Sequence, residues 1–289
     1  MSKDLERKES VAISIVMPAY NAEKYIREAV DSIMCQSFTD FECIIIDDGS
    51  TDSTRDIICS YDDERIILIE NRHDFIGSLN LGLKTSRGKY IARMDADDIM
   101  HPDRLKIQYA IMEAESSIIV CGTWMQHVGE SVPPKSIVGS ESGLVEYPLL
   151  QFLKGNFMYH PTAMIRRSFL MENQLSYEDY AYAEDLKLWT EIAKLGGTFY
   201  IDNQPLLYYR ITGTQVTNQK KEEQKATSKQ ILLETLNWLL DKNKENYPEL
   251  KDSFKSLIKL QEKDLISFNG ILQILQKIFV INKNKLNLA

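Results

Sequence analysis

The first hundred residues alternate between short apolar runs and segments whose apolar residues recur at helical spacing. Ala12-Ile13-Ser14-Ile15-Val16-Met17-Pro18 is an apolar run closed by proline. Phe41-Glu42-Cys43-Ile44-Ile45-Ile46-Asp47, Ile66-Ile67-Leu68-Ile69 and Tyr90-Ile91-Ala92-Arg93-Met94 repeat the form. Short apolar runs bounded by turn residues predict strands buried on both faces. Between them Tyr25, Ile26, Ala29, Val30 and Ile33 share one helical face within 22–35. Residues 51–61 and 76–84 predict two more helices, the first with Ser50 or Asp52 as its cap. Repeated strand–helix units predict an α/β fold, a mostly parallel central sheet flanked by helices. Ligands of such sheets bind beyond the carboxyl ends of the strands, where Asp47-Asp48 and Asp95-Ala96-Asp97-Asp98 fall.

Beyond residue 100 the pattern loosens. Residues 131–143, rich in Ser, Pro and Gly, predict a loop over the site. Leu188, Trp189, Ile192 and Leu195 lie on one face of a helix over 186–195, stopped by Gly196-Gly197. Residues 198–201 and 206–209 read as two short strands, and from Lys220 the chain is helical and rich in Lys, Glu and Leu.

Composition narrows the chemistry. A net charge of −8, from 42 acidic and 34 basic residues, argues against bulk nucleic-acid binding. It leaves anionic small molecules open, because a bound cation inverts the local field. Cys35, Cys43, Cys59 and Cys121 form no Cys-x-x-Cys pair, and three of them fall in apolar patterns, which predicts buried free thiols in a reducing cytoplasm. Met1 to Ser10 has no signal-peptide core, and no run of about 18 apolar residues suggests a membrane span.

Three carboxylates within four residues, Asp95, Asp97 and Asp98, repel one another and call for a compensating cation. Asp95 and Asp97, separated by a small Ala, can both reach one divalent ion. Such hard oxygen donors suit Mg²⁺ or Mn²⁺ shared with substrate phosphates. The same acids also fit a turn that caps a helix beginning near Pro102. Neither a P-loop nor a Gly-x-Gly-x-x-Gly motif is present, and no His-Glu-x-x-His or Gly-x-Ser-x-Gly occurs. Carboxylate chemistry around a metal remains.

Four segments in order, Val16-Met17-Pro18-Ala19-Tyr20-Asn21, Ile46-Asp47-Asp48-Gly49-Ser50-Thr51-Asp52, Asp95-Ala96-Asp97-Asp98 and Ala183-Glu184-Asp185, resemble the motifs of family 2 glycosyltransferases. The resemblance covers about residues 11–215. It implies an inverting enzyme with the GT-A, Rossmann-like fold, a nucleotide-sugar donor (most often a UDP-sugar) and Mn²⁺ or Mg²⁺ on the diphosphate. The implied partner is a glycan or lipid-linked acceptor, as in bacterial surface polysaccharide synthesis. The chain then divides into a GT-A catalytic domain at 11–217, with a nucleotide-binding half (11–100) and an acceptor half (101–217), and a C-terminal helical extension at 218–289.

Carried over residue by residue, the resemblance puts Pro18, Ala19 and Tyr20 along the nucleobase pocket. Asp48 accepts from the uracil imide N–H, with Asp47 as the second candidate, and a turn residue before Gly49 is the other reading of Asp48. Arg72 matches a basic residue near the nucleotide. Asp97 becomes the main metal ligand, Asp95 its partner near the ribose, and Asp98 the helix cap. Asp185 becomes the general base, with Glu184 beside it turned about 100° away. His160, Trp189 and Arg210 fall on the acceptor or diphosphate side. Each has a structural alternative: a histidine braced beside Pro161, a core tryptophan, and an arginine paired to an acid. Thr212 stands where many members carry a histidine metal ligand, which leaves the metal with fewer protein ligands.

After Asp264 the chain carries no acid, only Lys277, Lys283 and Lys285, and Ile271, Ile274, Leu275, Ile278 and Phe279 share a helical face. That stripe fits packing against helices within 228–265, and it also fits peripheral contact with the inner face of an anionic cell membrane. Two other classes share parts of the pattern. A sugar-nucleotide nucleotidyltransferase needs a glycine-rich phosphate loop after the first strand, where Pro18-Ala19-Tyr20-Asn21 stands instead. A non-catalytic nucleotide-sugar-binding protein keeps Asp48 and Asp97 but has no need of Asp185.

Overall fold

The computed structural model describes residues 11–129, 133, 136–139, 142–212 and 220–288. Its first part runs β1 (Ile13–Ala19), α1 (Ile26–Met34), β2 (Phe41–Asp47), α2 (Thr54–Cys59), β3 (Ile66–Glu70), α3 (Phe75–Thr85) and β4 (Tyr90–Arg93). It continues with β5 (Ile99–Met100), α4 (Arg104–Ala114), β6 (Ile118–Val128), β7 (Ser136–Val138), β8 (Gly143–Leu144) and α5 (Pro148–Phe152). A 3₁₀ turn (His160–Thr162) leads into β9 (Met164–Arg166), α6 (Arg167–Glu172), α7 (Glu184–Lys194) and β10 (Thr198–Arg210). Among the described residues three helices follow: α8 (Lys221–Asn243), α9 (Pro248–Gln261) and α10 (Phe268–Ile281).

The strands join one sheet in the order β3-β2-β1-β4-β9-β6-β10-β5. Every residue of β1, β2 and β4 is buried, as expected of strands covered on both faces. Side chains alternate between two cores. Ile13, Ile15 and Met17 of β1 join Ile26, Val30 and Ile33 of α1 and Leu105 of α4. Val16, with Ile44 and Ile46 of β2, faces Leu79 of α3 in the second core. α3 lies close on the sheet because Gly82 packs on Val16, where a β-carbon would collide.

β1 is parallel to β2 and β4, and β2 to β3. β9 is antiparallel to both β4 and β6, and β10 is parallel to β6. The carboxyl ends of β1 to β4, β6 and β10 therefore share one edge of the sheet. The order reverses at β1, which has β2 on one side and β4 on the other, and a reversal of this kind opens a ligand crevice.

The structure departs from the predicted pattern in four places. Residues 198–201 and 206–209 belong to one strand, β10, whose register against β6 slips around Pro205, a residue with no N–H to donate to the ladder. The predicted loop at 131–143 contains β7 and β8 among its described residues, paired to β6 and β10. Cys43 and Cys121 are buried, but Cys35 and Cys59 are exposed because they stand at helix ends on the surface; all four are free. Ile271, Leu275 and Phe279 of the amphipathic tail are buried in the core shared with α5, α7 and α8, leaving Ile274 39% exposed. The boundary expected near 217 lies outside the described residues. No helix among the described residues is long and apolar enough to cross a membrane.

Candidate active site

The turns after β1, β2 and β3 brace one another. The Asp48 N–H donates to the Ala19 carbonyl at 2.8 Å, and the Asn71 N–H to the Asp47 carbonyl at 2.8 Å. Asn21, in the left-handed region at φ 46°, accepts at Oδ1 from the Thr51 N–H at 2.8 Å, while its own N–H donates to the Ser50 hydroxyl at 3.0 Å. Gly49, at φ +83°, makes the turn between Asp48 and Ser50 that no β-branched residue could adopt without strain. Asp47 is a turn residue: its Oδ1 accepts from the Ser50 N–H at 3.0 Å.

Asp48 is buried, and its two oxygens differ. Oδ1 accepts from the Asp74 N–H and the Ser78 hydroxyl, both at 2.8 Å, and so fixes the turn into α3. Oδ2 has His73 Nδ1 at 3.9 Å and no hydrogen bond among the described residues. Tyr20 is 46% exposed and packs its ring 4.2 Å from that of His73. Pro18 pairs with Ile46 inside the sheet and Ala19 with Asp47, so these two contribute backbone at the floor of the crevice. Arg72 is exposed and makes no described ion pair.

Asp95, Asp97 and Asp98 follow β4, and each offers a carboxylate oxygen within 4.8 Å of the others. The expected cation is Arg93, at the end of β4: it is buried and its Nη1 lies 2.7 Å from Asp95 Oδ1. Its carbonyl accepts from Arg104 Nη2 at 2.9 Å, which fixes the strand end. Burial, then the charge of Asp95, pushes the Asp97 carboxyl up to about 6, and the same causes raise Asp98 well above the usual range. Asp98 is not a helix cap. Its Oδ1 accepts from the Arg210 N–H at 2.9 Å, β5 intervenes before α4, and the residue before α4 is Asp103. The buried Asp98 Oδ2 has no hydrogen-bond partner.

Arg210 is paired to acid rather than open to the crevice. Its guanidinium reaches Glu28 of α1, donates from Nε to the Asp97 carbonyl at 2.8 Å and lies 4.6 Å over the Tyr25 ring. Thr212 is described and half-buried, but residues 213–215 of the late motif lie outside the described residues.

Glu184 and Asp185 open α7. Asp185 is half-buried; its Oδ2 accepts from Asn156 Nδ2 at 2.8 Å and its Oδ1 from the Leu186 N–H at 2.7 Å. Burial raises its pKa, while those hydrogen bonds and Arg93 pull it down. Glu184 is the more buried of the pair, and burial together with Asp185 pushes it up to about 7.

His160 and Trp189 take their structural alternatives. His160 Nε2 bonds the Tyr177 hydroxyl at 2.8 Å, and burial drives its pKa well below the usual value. Trp189 is fully buried, its ring edge-on to His160 at 6.0 Å and to Phe199 at 6.4 Å, so it offers no open face for stacking a sugar. Three further contributors are placed by the structure. Arg93 acts on both carboxylate groups, Asn156 orients Asp185, and His73 flanks Asp48 and Tyr20. Of these only Arg93 carried a sequence signal, as the basic residue that begins the acidic run.

An open sheet whose order reverses beside β1, with carboxylates at the ends of β2 and β4 and a further pair at the start of α7, is the architecture of the GT-A fold. The profile of Glycosyl transferase family 2 matches residues 14–173. An uncharacterised glycosyltransferase of Haemophilus influenzae is 36% identical over 80% of this chain and 75% of its own. The Escherichia coli protein WfgD, named a UDP-Glc:α-D-GlcNAc-diphosphoundecaprenol β-1,3-glucosyltransferase, is 29% identical over 74% of this chain and 82% of its own. The fold is similar to that of Staphylococcus aureus TarS 1–349 solved with UDP-GlcNAc, with a TM-score of 0.61 and 22% identity over 83% of this chain and 76% of that one. The chain belongs to glycosyltransferase family 2.

Proposed function

We propose that this chain is an inverting, metal-dependent glycosyltransferase that moves a sugar from a UDP-sugar to a hydroxyl of a lipid-linked or other glycan acceptor in the building of a bacterial surface polysaccharide. The observation that carries the proposal is the Asp95, Asp97 and Asp98 cluster beside the β1/β4 reversal, with a buried, unpartnered oxygen on Asp98. Three clustered hard oxygen donors fit a divalent cation. Asp97 and Asp95 would hold it, with Asp98 behind them. When bound, Mn²⁺ or Mg²⁺ acts as a Lewis acid on the charge that develops on the departing diphosphate.

The remaining steps belong to the chain. Asp48 Oδ2 accepts from the uracil imide N–H, since Oδ1 is already taken by Asp74 and Ser78. A buried acceptor of this kind rejects bases that lack the donor. Tyr20 gives the base an exposed ring to stack on, and Arg72 adds positive charge at the same edge. Asp185 takes the proton from the acceptor hydroxyl as its oxygen forms the bond to the anomeric carbon and the bond to the diphosphate breaks. Attack from the face opposite the leaving group inverts the configuration. Asn156 keeps the Asp185 carboxylate turned toward the crevice. Residues 11–217 form the catalytic unit and 218–289 its extension. On α10, Ile274, Val280 and Ile281 stay exposed near Lys277, which suits contact with an anionic membrane carrying the acceptor.

A transfer panel tests the proposal: several UDP-sugars with Mn²⁺ and a GlcNAc-diphosphate polyprenol analogue, with the product's anomeric configuration read by NMR. Transfer with inverted configuration is expected. Retained configuration, or synthesis of a UDP-sugar from UTP and a sugar 1-phosphate instead, would overturn it.

A further inference from the structure

Asp185 sits in the first turn of α7, but α7 has no side chain capping its start, since the cap position is Ala183. The residue before that, Tyr182, is held at φ 62°, a left-handed conformation that a bulky residue adopts only when its surroundings impose it. The segment that presents Asp185 thus depends on outside contacts, and several of these come from α8.

Gln224 Nε2 donates to the Tyr182 carbonyl at 2.8 Å. The Tyr180 hydroxyl donates to Glu234, 3.0 Å from Oε1 and 2.9 Å from Oε2. Lys187, two residues beyond Asp185, is buried, with its Nζ 3.2 Å from Glu234 Oε2 and 2.8 Å from Glu191 Oε1. Glu178 completes the ring of acids at 3.8 Å, and the same ammonium lies 4.8 Å from the centre of the Tyr180 ring. Gln230 Nε2 steadies Glu234 Oε1 at 3.0 Å. α8 therefore grips residues 180, 182 and 187, on both sides of Asp185. The far end of the segment is pinned at Tyr177, whose N–H and carbonyl both pair with the Asn80 side chain at 2.9 Å.

One buried ammonium among acids that stay partly exposed is a poor way to gain stability alone, because solvent screens such pairs and well-packed apolar residues do as well or better. What it supplies is one arrangement of the groups that share it. We infer that α8 is a positioning element for the general base: Gln224 and Glu234, through Tyr182, Tyr180 and Lys187, hold α7 so that Asp185 meets the acceptor hydroxyl. This rests on the reading of Asp185 as the base. It makes the C-terminal extension part of the transfer machinery, not only a covering of the core. Displacing a reacting group by about 1 Å can cost on the order of 100-fold in rate.

The test uses the full chain with Glu234→Ala, Glu234→Gln and the milder Gln224→Ala, assayed with the UDP-sugar found active in the transfer panel. Glu234→Ala is expected to lower kcat by at least about tenfold, with KM for the donor and calorimetric UDP affinity in Mn²⁺ within about twofold of wild type. Glu234→Gln, which keeps an acceptor for Tyr180 and Lys187, should recover part of the loss. Gln224→Ala should cause a smaller fall of the same kind. Amide exchange should quicken in 178–187 and stay unchanged in 93–100. A wild-type kcat in Glu234→Ala overturns the inference. So does a loss of UDP affinity in step with kcat, with faster exchange across β1 to β4, which marks general loosening. Asp185→Asn, run alongside, separates the two claims. If it stays active, the base assignment fails and the inference with it; if it is inactive while Glu234→Ala is not, only the inference fails.

Discussion

The turns that follow β1, β2 and β3 are held by hydrogen bonds between neighbouring loops, each anchored at the end of a parallel strand. The segment that presents Glu184 and Asp185 is held from α3, from the stretch around Asn156 and His160, and from α8. On the proposed roles, the donor side is preformed by the same parallel sheet that builds the fold. The base side is assembled from contacts far apart in sequence, and its geometry is conditional on all of them. Arg93 joins the two: it pairs with Asp95, and its charge is felt by Glu184 and Asp185.

If the two sides are separable in this way, removing the base should abolish chemistry and spare binding. Asp185→Asn is expected to lower transfer by about 10²–10⁴, the usual worth of a general base, with calorimetric UDP affinity unchanged. A parallel loss of UDP binding would mean that the two sides are one unit. Arg93→Met should hurt both, because it removes a buried charge that acts on the carboxylates of each side. Breaking a buried pair in this way costs about 3–5 kcal/mol, readable by urea unfolding. A stability within about 1 kcal/mol of wild type would show that the acids are neutralised by other means.

The donor side alone should respond to Asp97→Asn. Loss of an outer-shell partner already costs about 10–100-fold in metal affinity, so a ligand's loss should weaken Mn²⁺-dependent UDP binding by at least that much. The pH dependence is a smaller effect with a definite sign. Asp97 is raised from 3.8 to about 6 in the metal-free fold. Its protonated form therefore favours folding, and that contribution, complete below about pH 4, is lost as pH rises through about 6. Mn²⁺ competes with the same proton, so its affinity should rise between about pH 5 and 7. Calorimetry at both ends of that window, repeated with Asp97→Asn, should show the slope in wild type and not in the variant.

The same division explains what the sequence revealed. Strands β1, β2 and β4 were legible because each is a short run buried on both faces, and β3, at the sheet edge, because it is an unbroken apolar run. That Asp95 and Asp97 stand together needed only the local order of residues. Asp98 did not follow: adjacency suggested a helix cap, but a pairing with Arg210, 112 residues away, decides its role. Trp189 and His160 went the same way, since the pattern placed them on a helix face and in a turn but could not say which side the core occupied. Asn156, His73, Gln224 and Glu234 left no trace in the sequence, because each acts through one contact to a distant segment. Pro205 hid the continuity of β10 by interrupting the ladder without ending the strand.

The most direct measurement is the melting temperature of the full chain with excess UDP, in Mn²⁺, in Mg²⁺ and in EDTA. A ligand at 100 times its Kd stabilises a fold by about 2.7 kcal/mol, a shift of several degrees. UDP should raise the melting temperature in Mn²⁺ or Mg²⁺ and lose most of that effect in EDTA. No shift with either metal, or an equal shift in EDTA, would contradict a UDP diphosphate held through Asp95 and Asp97.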